Sequence, residues 1–241
     1  MLETLSTPHF WVGLLEIIGV NILLSGDNAV VIALAARSLP TGQRKKAVLF
    51  GSIAAIGMRV VLTVVAAEAL TLPYLKTLGA VALLWIGVQL LLPGADKISH
   101  APTGRTLFAA IRTILLADLV MSLDNVIAVA AAAGGDLVLL VLGLLISVPL
   151  IIFGSTLVLK LMDRFAIVIT AGGALLGYVA GEMLMHEAAL RPWLPPKEGP
   201  WSVALPVAGA LLVIVIGKWL AARRGAGAVQ EVIELADGKR E

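Results

Sequence analysis

Seven long apolar segments limit what this chain can fold into more than any other feature of its sequence. A helix needs about 20 mostly apolar residues to cross a bilayer, and runs of that length recur here between breaks such as Pro40-Thr41-Gly42 and Pro93-Gly94. We therefore predict an all-α polytopic membrane protein, with a seven-helix transmembrane domain over residues 1–222 and a tail over residues 223–241. The predicted spans cover residues 10–36, 47–70, 72–92, 107–132, 137–160, 165–186 and 203–221.

The composition agrees with a membrane protein and excludes several other classes. Apolar residues make up 59% of the chain and charged residues 14%, against about 25% charged residues in an ordinary soluble domain. Cysteine is absent, which excludes disulfides and thiolate metal sites. No basic run is long enough to indicate nucleic acid. Residues 1–11 lack the basic residues with which a secretory signal begins, so we expect the first apolar segment to be retained.

The distribution of basic residues predicts how the chain is oriented. With the N-terminus outside, 14 of the 18 Lys and Arg residues fall on the cytoplasmic side, three fall on the other side, and Arg59 lies within the second span. Cytoplasmic loops carry an excess of Lys and Arg. We therefore predict that the N-terminus is outside and that the C-terminal tail is cytoplasmic. Residues 229–235 of that tail fit either a short amphipathic helix or a disordered segment.

A polar motif occurs twice, in the first and the fourth apolar segment. Residues 21–30 read NILLSGDNAV and residues 118–127 read DLVMSLDNVI. Because the second copy comes three spans after the first, an odd number, it enters the membrane from the opposite side, which predicts an inverted repeat over residues 10–92 and 107–186 plus one extra helix. Sites in transporters of this kind form where the two repeats meet. The motif aligns Asp27 with Asp124, Asn28 with Asn125, Ser25 with Ser122, and Asn21 with Asp118.

The paired Asp-Asn units predict a cation site. A charged side chain at the bilayer centre costs about 2.5–3.5 kcal/mol on insertion scales, and two carboxylates near one axis repel each other unless cations or protons lie between them. Carboxylate, amide and hydroxyl oxygens suit Mg²⁺, Ca²⁺ or Mn²⁺. We expect Asp27 and Asp124 to share one divalent cation. The alternative is that the polar residues only join helices through hydrogen bonds.

Other polar residues extend this prediction. Arg59 fits an internal counter-ion to a carboxylate, or a side chain that reaches toward the interface. Met121 would either add a thioether ligand or only pack. When the cation leaves, buried carboxylates favour proton uptake, which predicts exchange of metal for protons. The further candidates for ligands or proton carriers are Asp118, Glu16, Asn21, Ser25 and Ser122, and an exit-side site would use Glu68, Glu182 and His186.

The two Asp-Asn segments and the duplicated triple of spans resemble the TerC/Alx family of bacterial integral membrane proteins, in particular its YjbE-like branch. The resemblance covers roughly residues 10–222. It implies a protein of the bacterial inner membrane, related to the LysE-type exporters and associated with Mn²⁺ efflux. It also implies that Asp27, Asn28, Asp124 and Asn125 bind the cation. Nothing in these residues explains the link to tellurite resistance that the family name suggests.

Three alternative functions are weaker. An intramembrane metalloprotease would need His-Glu-x-x-His, which does not occur among the three scattered His residues, so we expect no enzyme and no tightly bound cofactor. Lys218 lies in the last span as a retinal-binding lysine would, but it stands beside Trp219 near the interface. A LysE-type exporter of amino acids or other small solutes remains the main alternative. The expected partners are the cation and lipid, and a homo-oligomer is compatible with the sequence.

Overall fold

The computed structural model describes residues 8–69, 74–92, 106–133, 136–193 and 201–237, and within them the chain is helical. Each of the seven predicted segments contains a helix, and the last helix continues beyond the predicted end at residue 221 to Asp237. The elements are α1 Pro8–Arg37, α2 Thr41–Ala69, α3 Leu75–Leu91, α4 Leu107–Ala133, α5 Leu137–Arg164, α6 Ala166–Met185, a 3₁₀ turn Ala188–Leu190, and α7 Trp201–Asp237.

The outer surface of the bundle is apolar, as in a protein whose solvent is lipid. Large hydrophobic side chains such as Phe108, Phe153 and Ile167 are 70–75% exposed, and soluble proteins rarely expose contiguous apolar surface on this scale. Four helices in the described residues are long and apolar enough to cross a membrane, or five when the two halves of α1 are taken as one bent span. The chain is therefore a multi-pass membrane protein.

Helix directions follow from close contacts at glycines. Gly13 of α1 faces Leu139 of α5, and Ile17, one turn later in α1, faces Gly143, one turn later in α5. These two helices therefore run parallel. Gly51 of α2 likewise faces Ile114 of α4, and Arg59 of α2 bonds Ser122 further along α4, so α2 and α4 are parallel too.

The two ends of the bundle are held by different contacts. At one end, called here the Arg44 end, Arg44 near the start of α2 forms a salt bridge of 3.0 Å with Asp163 near the end of α5. At the other, the Glu187 end, the carboxylate of Glu187 just after α6 accepts the backbone N–H of Thr77 in the first turn of α3 at 3.3 Å. Because α2 starts where α5 ends, these two helices are antiparallel, and so are α1 and α4.

The seventh helix packs on α6 through glycine. A Cβ atom on Gly209 would fall on the carbonyl oxygen of Gly177, and a Cβ atom on Gly181 would fall on that of Leu205. Small residues at such positions let membrane helices approach closely. The spacing of Gly177 and Gly181 is that of a GxxxG pair, so the seam between α6 and α7 depends on the absence of side chains.

We expect Gly209→Ala to destabilise the protein by about 1–3 kcal/mol, since the added methyl group has no space. Gly57→Ala is the matched control, because a Cβ atom there would have no neighbour within 4 Å and alanine favours the helix. Thermal unfolding in detergent measures both. Equal midpoints for the two variants would show that the seam tolerates a side chain.

Glu187 caps α3 through a carboxylate that the sequence did not single out for this role. Its oxygens accept hydrogen bonds from the N–H groups of Thr77 and Ala189. Burial raises the pKa of this carboxyl, but the N–H groups around it outweigh that effect, so the pKa of Glu187 lies below the ordinary 4.5. A lowered pKa means that the ionised form stabilises the fold above pH 4.5, and that this stability is lost as the pH falls through the lowered pKa.

Glu187→Ala should therefore lower the unfolding midpoint at neutral pH, by an amount that corresponds to the loss of a helix cap, about 0.5–2 kcal/mol. The gap between wild type and variant should shrink as the pH falls below about 4. Unfolding scans across pH measure this gap. A gap that stays the same down to pH 3 would mean that the carboxylate charge has no part in the cap.

Candidate cation site around a buried arginine

Arg59 lies at the centre of a buried polar network between α1, α2 and α4. The residue is 1% exposed. Its Nε donates to Ser122 Oγ at 3.0 Å and its Nη1 donates to Asn21 Oδ1 at 2.9 Å, while Nη2 forms a salt bridge with Asp118 Oδ1. Ser122 Oγ also lies 3.3 Å from Asp118 Oδ2. The guanidinium therefore joins the first helices of the two predicted repeats.

Electrostatics explains why Arg59 and Asp118 occur as a pair. Each charge alone would be costly in a bundle interior, whereas the pair with its additional hydrogen bonds compensates much of the desolvation. Of the two readings of Arg59 that the sequence left open, the structure shows the internal counter-ion and not a side chain that reaches toward the interface. Its carboxylate partner is Asp118.

A second polar group lies at a bend in α1. The halves Trp11–Asn21 and Gly26–Arg37 meet at an angle of 50°. Asp27 is half-buried, and its Oδ1 accepts the backbone N–H of Asn28 at 2.8 Å. Asn28 is 3% exposed, and neither polar atom of its side chain has a hydrogen-bond partner among the described residues. Buried amides are rarely left in this state unless a further ligand completes them.

The helix directions place the two Asp-Asn units at different depths. Residue 27 is ten residues from the end of α1 at Arg37, and residue 124 is 17 residues from the start of α4 at Leu107. Both of those helix ends lie at the Arg44 end, so at 1.5 Å per residue the two positions are about 15 and 26 Å from it. The backbone positions of the two motif copies therefore differ in depth by about 10 Å by helix rise, and the shared ion stays a prediction because the side chain of Asp124 lies outside the described part of the structure.

The polar residues therefore fall into two levels. The first level, nearer the Arg44 end, contains Asp27, Asn28 and Asp118. The second level contains Asn21 and the segment 124–125. Arg59 belongs to both, because it bonds Asp118 in one and Asn21 in the other.

The remaining predicted residues are placed as follows. Asn125 is half-buried and Met121 is buried, whereas Glu16 is exposed on α1 and is not part of the buried network. The side chains of Ser25, Glu68 and Asp124 lie outside the described part of the structure. The bonds of Arg59 could not be read from the sequence, because its partners are 38 to 63 positions away.

A small pocket lies at the Glu187 end between α6 and α7. It has a volume of about 210 Å³ and is lined by Tyr178, Glu182, Met185, His186, Ser202 and Pro206. His186 Nδ1 lies 2.9 Å from the backbone oxygen of Glu182, which orients Nε2 as the remaining ring nitrogen for a ligand. The structure thus brings together two of the three residues predicted for an exit-side site.

Acidic and histidine side chains do not form a ready-made cluster here. Among the described residues, no group of three or more His, Asp or Glu residues is arranged to hold a metal ion. The first level instead offers a carboxylate, an amide oxygen and the Asp118 carboxylate that Arg59 holds. Such a set of oxygen donors suits weak, reversible binding of a hard cation.

A helical bundle with this buried polar pathway defines an integral membrane protein of the multi-pass class. The family model described as the integral membrane protein TerC family matches residues 6–225, and the chain belongs to that family.

Its relatives in Bacillus subtilis (strain 168) include the uncharacterized membrane protein YjbE, 43% identical over 86% of this chain and 94% of the relative. The uncharacterized membrane protein YkoY is 25% identical over 87% of this chain and 71% of the relative. No solved structure matches the chain.

A double-mutant cycle tests the pairing at the centre of the site. Arg59→Met alone and Asp118→Leu alone should each destabilise the protein by about 3–5 kcal/mol, because each leaves an uncompensated buried charge. The double variant should lose much less stability than the sum of the two single losses. Thermal unfolding of all four proteins measures the coupling. Additive effects would mean that the two charges do not stabilise each other.

Proposed function

We propose that this protein is a transporter, not an enzyme, and that it exports a divalent metal cation, Mn²⁺, in exchange for protons. One observation carries the proposal: at the bend of α1, the buried Asn28 amide has no partner among the described residues and stands beside the half-buried Asp27 carboxylate. Discontinuous helices with polar groups at the break are the usual ion sites of secondary transporters.

The chemistry of the donors favours a divalent cation. Asp27 supplies charge, Asn28 supplies a neutral oxygen, and both are hard ligands. Arg59 neutralises Asp118, so the carboxylates of Asp27 and Asp124 remain to offset the two charges of the cation. We propose that the ion binds first at Asp27 and Asn28 and then at Asp124 and Asn125, and that water completes its coordination.

The packing supports an inverted repeat of α1–α3 and α4–α6, and we propose that all seven helices span the membrane. Ile17 of α1 lies on Gly143 of α5, and Ile114 of α4 lies on Gly51 of α2; the two isoleucines have the same spacing as Asp27 and Asp124. The repeats are exchanged by replacing α1 with α4, α2 with α5 and α3 with α6. This exchange turns the contact α1–α5 into α2–α4, and the contact α1–α2 into α4–α5, and all four contacts are present. The contacts α1–α4, α2–α5 and α3–α6 map onto themselves.

The orientation and the route follow from the ends of the bundle. We propose that the Arg44 end is cytoplasmic, in agreement with the excess of basic residues there, and that the protein lies in the bacterial inner membrane. The cation would then enter at the level of Asp27 and leave past the level of Asp124. The pocket with Glu182 and His186 is at the exit side of this route, where an imidazole nitrogen and a carboxylate favour transition metals.

We expect Asp27→Asn to reduce Mn²⁺ transport at least tenfold, because the variant loses the charge that offsets dehydration of the ion. Proteoliposomes with a trapped Mn²⁺-quenched dye and an external pH probe measure metal flux and proton flux together. Wild type should move protons against the metal. Asp163→Asn is the control, since it removes a carboxylate at the surface, and it should transport normally.

Two results would contradict the proposal. Asp27→Asn that transports as fast as wild type, with normal insertion and folding, would leave the motif with a structural role only. Metal flux that is independent of pH and without proton movement would exclude the exchange and favour a passive route.

A further inference from the structure

Arg59 occupies the boundary between the two levels of the polar pathway. Its side chain bonds Asp118 in the level of Asp27, Asn21 in the level of residue 124, and Ser122 between them. Asn21 and Asp118 are equivalent positions of the two motif copies. A group that bonds both equivalents must lie close to the axis that relates the repeats.

We propose that Arg59 is a tethered cation that bars passive passage of metal ions between the two levels. This inference rests on the proposed function and adds a residue that the cation does not bind. A divalent ion that passes from one level to the other meets a fixed positive charge, and in a low-dielectric interior that repulsion is poorly screened.

The bonds of Arg59 also explain how the barrier is coupled to binding. Its guanidinium occupies the oxygen atoms of Asn21, Asp118 and Ser122, which are hard donors that a passing ion would otherwise use. The metal ion and the guanidinium therefore exclude each other from the same oxygens. Passage requires that α1, α2 and α4 rearrange so that Arg59 moves, and a rearrangement of this kind is the step that distinguishes a carrier from a channel.

The shape of the side chain suits this role. Arginine remains charged at every physiological pH, and its planar donors bond several acceptors in fixed directions. Its side chain is among the largest fully buried ones in the described residues. It therefore blocks the passage sterically as well as by its positive charge. A lysine would retain the charge with less directional bonding.

The test removes the barrier without leaving an unpaired charge. Arg59→Gln combined with Asp118→Asn should increase Mn²⁺ flux into proteoliposomes at least tenfold when only a metal gradient is applied, with no pH gradient or exchangeable ion on the other side. Asp118→Asn alone retains the positive charge and should not leak. Arg44→Gln combined with Asp163→Asn is the matched control, because it removes one pair of opposite charges at the Arg44 end.

Folding is checked by the thermal midpoint of each protein in detergent. If the polar double variant does not fold, Arg59→Met with Asp118→Leu replaces it, since apolar substitution of a buried ion pair is often well tolerated. Arg59→Lys should show passive flux within about threefold of wild type.

The outcomes separate this inference from the proposed function. A folded double variant with the same passive flux as wild type overturns the barrier, and so does Asp118→Asn or Arg59→Lys that leaks as much as the double variant. If wild type shows no flux that depends on Asp27, the proposed function fails instead. A leak that appears only in the variants without Arg59 supports the barrier in either case.

Discussion

The burial of one guanidinium in an apolar bundle is the constraint on which the centre of this protein depends. A charge at that depth requires a carboxylate, further acceptors and helices that hold them in place, and Asp118, Asn21 and Ser122 on α1 and α4 meet that requirement. Because the acceptors come from both motif copies, the two halves of the bundle are joined through a single side chain. The polar residues beyond it are then divided between two depths.

Much of the fold could be predicted from the sequence because a chain inside lipid must satisfy its backbone hydrogen bonds internally. An apolar run between turn residues in a membrane protein is a helix, and the segment predicted over 107–132 is the helix Leu107–Ala133. The end of α7 at Asp237 was harder to define, since beyond the apolar run helix and coil are both compatible with a polar sequence. The rule that an apolar run forms a membrane helix does not apply to this polar end of α7.

The site was predictable in its composition but not in its geometry. The duplicated Asp-Asn units and Arg59 could be identified, because charged residues stand out in apolar segments. The distances could not be foreseen, since they depend on which helices are parallel and on their relative shift. Two Asp residues that superpose in sequence thus lie about 10 Å apart in depth by helix rise. Glu187 was missed as a helix cap for a similar reason, because Thr77 is 110 positions away.

The contacts at the two ends of the bundle differ in strength, and this gives the protein a mechanical polarity. Arg44 and Asp163 are 21% and 50% exposed, and ion pairs of that kind contribute about 0–1 kcal/mol and weaken with salt. The Glu187 carboxylate is buried and bonds the first turn of α3. Of these two contacts, the one at the Arg44 end is therefore the more sensitive to its surroundings, and a rise in ionic strength on that side of the membrane alone would weaken it without affecting the Glu187 cap.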